Sequence, residues 1–136
     1  MNFEQEFEAW LSNNITCEIP EDVKAFSFNL FESCIEDDKK FGIELIGAGE
    51  FDSENEDWAC DEIWEPKLRE LDIPTSFSGE SWEICQERLK SLITKVLASN
   101  THCKNQLKSR KGIGIGFVDG NLEMIWQSMQ TSNDNR

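Results

Sequence analysis

The chain has 136 residues, with 27 Asp and Glu against 13 Lys and Arg, so its formal net charge is −14 and its pI about 4.4. That length suits one domain, and nine Phe with five Trp supply the large apolar side chains that a disordered chain of this charge would lack. So acidic a molecule repels polyanions, which argues against direct nucleic-acid binding, and no run approaches the roughly 18 consecutive apolar residues of a membrane-spanning helix.

Phe3, Phe7, Trp10 and Leu11 recur at helical spacing, with Glu4, Glu6 and Glu8 near the start. This predicts an amphipathic N-terminal helix whose early carboxylates suit the positive end of its dipole, ended by Asn13-Asn14. The same acidic residues stand where an export signal has a basic region, so the chain is expected in the cytoplasm, away from membranes. Residues 23–31 alternate, with Phe26, Phe28 and Leu30 on one face and Ala25, Ser27 and Asn29 on the other, as in a strand. A charged turn follows at residues 36–40. Phe41, Ile43 and Leu45 then alternate into a second strand, with Ile46, Gly47 and Gly49 at its far end, and the two strands are expected to form an antiparallel hairpin.

Residues 50–65 carry Glu50, Asp52, Glu54, Glu56, Asp57, Asp61, Glu62 and Glu65 with no basic residue, and Trp58, Cys60, Ile63 and Trp64 interleave. Residues 58–64 fit a strand or a short helix equally well, and Pro66 and Pro74 bracket a short segment around Leu68 and Leu71. Ser78 or Ser81 can cap the next helix, in which Trp82, Cys85, Leu89, Leu92, Ile93, Val96 and Leu97 keep helical spacing up to Ser99-Asn100. Ile113, Ile115 and Phe117 line one face of a further strand, and Gly112, Gly114 and Gly116 the other. Asp119-Gly120 signals a hairpin, with Leu122, Met124 and Trp126 returning. Three glycines on one face imply either a very close neighbour or a face left bare. The expected fold is a single α+β domain over residues 1–130, an antiparallel sheet of two hairpins (four to five strands) packed with an N-terminal and a central helix; residues 131–136 form a flexible tail.

Four constellations bear on chemistry. The glycine-rich GIGIG run leads from strand to strand rather than into a helix, so it lacks the context of a phosphate loop. Asp52, Glu54 and Glu56 echo alternating calcium ligands, but Asp57 and Ile63 stand where an EF-hand needs Gly and Glu. His102 and Cys103 are neighbours in sequence, and adjacent residues on a helix point in different directions, so a Cys–His dyad is not expected, nor is a zinc site. The five cysteines are odd in number and form no CxxC pair, as expected of reduced thiols, and the sequon Asn14-Ile15-Thr16 has no role in a chain that is not exported. No metal, cofactor or catalytic residue is expected.

The fourth is the acidic stretch itself. Residues 1–80 hold 22 acidic and 5 basic side chains, whereas residues 81–136 hold 5 and 8. The bland reading is a solvated loop whose tryptophans dip into the core. The functional one is a docking surface for a basic partner built from Glu50, Asp52, Glu54, Glu56, Asp57, Asp61 and Glu62, with Trp58 or Trp64 as a desolvated anchor.

The segments FGIELIGAGEFDSENEDWACDEIWEP and GIGIGFVDGNLEMIW, residues 41–66 and 112–126, resemble the small acidic immunity proteins of bacterial contact-dependent inhibition and related polymorphic toxin systems. These proteins share a role and a charge character rather than one motif. The resemblance implies a non-enzymatic inhibitor encoded beside a toxin, whose acidic surface occupies the active-site cleft of the toxin's basic C-terminal nuclease domain. A competing expectation is a small regulatory or scaffold domain that meets another basic protein through the same surface.

Overall fold

The computed structural model describes residues 2–15, 18–36, 38–99, 102–118 and 120–128, the side chains of residues 34–36 and 102–103 excepted. The flexible tail expected at residues 131–136 lies outside the described residues, as do Cys17, Asn100 and Asp119 and the side chains of Cys34, His102 and Cys103.

The chain folds as α1 (Phe3–Asn14), β1 (Ala25–Glu36), β2 (Lys39–Ala48), a 3-10 turn (Glu56–Cys60), β3 (Glu62–Trp64), β4 (Glu70–Ile73), α2 (Thr75–Ser78), α3 (Trp82–Ala98), α4 (His102–Lys108), β5 (Gly112–Phe117) and β6 (Glu123–Gln127). The α+β class and both hairpins match the sequence. β1 pairs antiparallel with β2, in register Phe28 to Leu45, and β5 pairs antiparallel with β6. The sheet has six strands rather than four or five, in the order β3-β2-β1-β5-β6, with β4 on the same edge of β2 as β3.

The sheet is mixed, not wholly antiparallel, because β5 lies parallel to β1 with Phe28 opposite Ile115. α3 and α4 carry the chain from one end of the sheet back to the other, so β5 enters from the same end as β1, and a helical crossover of this kind produces a parallel pair. The ambiguous residues 58–64 divide, the first part closing the 3-10 turn and the last forming β3. The segment between the two prolines supplies β4, with Ile73 opposite Phe41.

The two faces of the sheet carry different cores. Phe26, Phe28, Leu30, Phe41, Ile43, Leu45, Ile113 and Ile115 point to the helices and are at most 2 % exposed. Against them pack Phe7 and Leu11 of α1 and Leu89 and Ile93 of α3, all fully buried. α1 begins with a capping box, since Asn2 Oδ1 accepts from Gln5 N at 2.9 Å and Gln5 Oε1 accepts from Asn2 N at 3.2 Å. Ser81, not Ser78, caps α3, its hydroxyl accepting from Ile84 N. Buried Asn14 at the end of α1 clamps the chain between β3 and β4: its amide donates to Leu68 O at 2.8 Å and accepts from Leu68 N at 3.1 Å.

The other face holds a smaller core of Ala25, Ile46, Ala48 and Trp58, flanked by Phe51, Leu122 and Met124. This is where the glycines of β5 find their neighbours. A methyl group on Gly112 would lie 2.3 Å from the Phe51 ring, and one on Gly116 would lie 2.6 Å from the Asn121 carbonyl oxygen. The bare strand face is the seat on which the acidic segment and the β5–β6 connection lie. Close approach, not an uncovered face, accounts for the glycines.

Candidate functional site

The acidic segment is a flap across the second face of the sheet. It leaves β2 at Glu50, drops Phe51 onto Gly112, and tightens into a turn in which Asp52 O accepts from Asn55 N and Asp52 Oδ1 from Glu54 N at 2.9 Å. Asn55 then caps the 3-10 turn, its side chain accepting from Asp57 N at 3.0 Å. Trp58 follows, 3 % exposed, with its ring 5.2 Å from that of Phe51. The flap closes where Gly49 N donates to Asp61 O at 3.0 Å. Two inward aromatic rings and local turn bonds therefore hold the backbone while the carboxylates point out.

The sequence-predicted residues separate into three groups. Glu50, Asp52, Glu54, Glu56, Asp57 and Asp61 are exposed, and among the described residues none has a cationic partner. Glu62 lies at the sheet edge, where the Arg69 guanidinium grips it through two nitrogens while also bonding Glu65 and Glu44. This raises the Arg69 pKa well above its ordinary value, the Glu62 hydrogen bond being the largest cause. Glu44 continues the polar chain by accepting from the Asn29 amide at 3.0 Å, and Asn29 accepts from buried Ser27 at 2.7 Å.

The tryptophans are the third group. Trp58 is spent inside the second core, and half-buried Trp64 packs edge-on against Phe26 on the helix side of the sheet, with ring centroids 6.0 Å apart. They lie on opposite faces, and Trp58 is not available as a surface anchor. The most exposed indole belongs to Trp82, at the first turn of α3, which is 54 % exposed. Its helical spacing counts Trp82 in the apolar stripe, yet it is exposed, three residues before Cys85, the first buried position of that stripe. The signal available was its position directly after the capping serine, where a helix often overhangs its sheet.

Burial pushes the Cys85 thiol up to about 12, which keeps it protonated at neutral pH, and Cys60 is exposed. Asp52, Glu54 and Glu56 do not converge, and among the described residues no three His, Cys, Asp or Glu side chains form a metal-holding group. No helix of the described residues is long and apolar enough to cross a membrane. No family model, curated protein or solved structure matches the chain.

Proposed function

We propose that the chain is a cytoplasmic immunity protein that binds the basic C-terminal nuclease domain of a cognate bacterial toxin and fills its active-site cleft with the acidic flap, performing no reaction itself. One observation carries this reading: six exposed carboxylates, with no cationic partner among the described residues, stand on a flap of about a dozen residues. Mutual repulsion among them disfavours the isolated fold, and a cationic cleft built for phosphates offsets it. At physiological salt the screening length is about 8 Å, so the flap acts as a unit during encounter and its effect weakens steeply with added salt.

The structure suggests which substitutions test this cleanly. The side chains of Glu54, Glu56, Asp57 and Asp61 make no hydrogen bond among the described residues, whereas Asp52 and Asn55 hold the turn. Changing the first four together to Ala removes charge and leaves the flap folded. Co-expressed with the toxin domain encoded immediately upstream, the wild-type chain restores growth. The fourfold variant associates with that domain about tenfold more slowly or worse at low salt, and its rate depends less on ionic strength. Failure of the wild-type chain to bind or rescue would refute the proposal. Unchanged kinetics in the variant would remove the flap from the interface.

A further inference from the structure

On the side of the β5–β6 turn away from the flap lies an open trough of about 660 Å³, walled by Glu32, Trp82, Gln86, Phe117, Leu122 and Glu123. A smaller hollow beside Glu56, Asp57 and Cys60 shares Phe117, Gly120 and Leu122 with it, so the trough and the acidic flap meet over this turn. Trp82 stands edge-on to Phe117 with ring centroids 5.9 Å apart and is 54 % exposed, while Val118 at the turn is 63 % exposed. Of the carboxylates around both hollows, Glu123 is neutralised by Lys90, but Glu32, Glu56 and Asp57 have no cationic partner among the described residues.

We propose that this trough receives an arginine side chain of the partner, with its guanidinium laid against the Trp82 indole and its charge met by Glu32. The inference rests on the reading of the flap as the docking surface for a basic protein and supplies the anchor that Trp58 cannot be. An exposed indole beside an unneutralised carboxylate favours a planar, weakly hydrated cation, which is arginine rather than lysine. A second copy of this chain is a poor occupant, because a twofold contact would set Glu32, Glu56 and Asp57 against their own equivalents in molecules of net charge −14. An anchoring aromatic rimmed by charge is also the usual composition of an interface hot spot.

The test has two arms. In the first, the folded chain is titrated with a short arginine-containing peptide and with its citrulline counterpart while indole N–H resonances are followed, the Trp82 signal being assigned from Trp82→Phe. Arginine should move that resonance and citrulline should not, and Glu32→Gln should weaken the response severalfold. No movement at Trp82, or equal movement with citrulline, overturns the proposal. So does a concentration-dependent dimer that Trp82→Ala dissolves, since a second copy would then fill the trough. In the second arm, Trp82→Ala and Glu32→Gln, with melting temperatures confirming that each is folded, are measured against the upstream-encoded toxin domain. Trp82→Ala should weaken binding about tenfold or more through faster dissociation, and undiminished affinity in both variants overturns the anchor while leaving the flap's role intact. If the wild-type chain ignores the toxin domain but Trp82 still answers to arginine, the immunity reading fails and the arginine site stands.

Discussion

Two glycines four residues apart, at the end of β5 and in the turn that follows it, show how strictly local space is allotted. Gly116 faces the Asn121 backbone, and a methyl group there would meet its carbonyl oxygen at 2.6 Å, which a rotamer change cannot relieve. Gly120 has nothing nearer than 3.7 Å. Gly116→Ala should therefore destabilise the fold by about 1–3 kcal/mol, whereas Gly120→Ala should stay within roughly 0.5 kcal/mol of wild type. Urea unfolding of the two variants checks the contrast. The Lys90–Glu123 pair is a second local device, tying α3 to β6. Lys90 holds the Glu123 carboxyl below its ordinary value, and Glu123 holds Lys90 above its own. A lowered acid contributes stability above its unfolded pKa and loses it as pH falls, while a raised base contributes below its unfolded pKa and loses it as pH rises. The coupling is thus present at neutral pH and fades below about 4.5 and above about 10.5. Both groups are substantially exposed, so a double-mutant cycle with Lys90→Met and Glu123→Gln should read no more than ~1 kcal/mol at pH 7.

Among the elements, the flap is the least conventional, since a highly charged segment with one 3-10 turn has little intrinsic tendency to order. Its order comes from Trp58 and Phe51 pressed onto the small residues of β1, β2 and β5. Trp58→Ala should cost about 3–5 kcal/mol if the loss is global. Hydrogen exchange separates that outcome from a local one, because detachment of the flap alone would unprotect the amides of residues 49–61 while α1, α3 and the central strands stay protected. The carboxylates would remain present in such a variant but no longer as a fixed array. Slower or weaker binding by Trp58→Ala would then measure preorganisation rather than direct contact.

For the molecule as a whole, the charge asymmetry means that the native state carries a repulsive self-energy concentrated on the flap and β4 edge, relieved in part where Arg69 gathers Glu44, Glu62 and Glu65. Moderate sodium chloride should raise the melting temperature by a few degrees through screening. The fourfold carboxylate variant, with less repulsion to screen, should melt higher in low salt and gain less from added salt. The same ions that stabilise the free protein should slow its association with a basic partner, and that opposition distinguishes charge built for encounter from charge carried only for solubility.

Periodicity alone determined α1, α3 and both hairpins, because in each the buried face is written as a repeat of large apolar residues and the chain needs only local contacts to close them. The concentration of carboxylates at residues 50–65 was equally legible, being a matter of composition. The parallel pairing of β5 with β1, the second edge strand β4, and the opposite destinations of Trp58 and Trp64 were not, since they depend on which strands meet after a helical crossover and on which side of the finished sheet a residue emerges. Asn14, read as a helix stop, is also a clamp on Leu68, 54 residues away in sequence. The glycines of β5 stated that something comes close without naming it, because the partner surface exists only once Phe51 and Asn121 have been carried there by the rest of the fold. The exposed indole is likewise a tertiary fact: an apolar position on a helix is buried only if the helix lies over the sheet at that turn, and at Trp82 it does not.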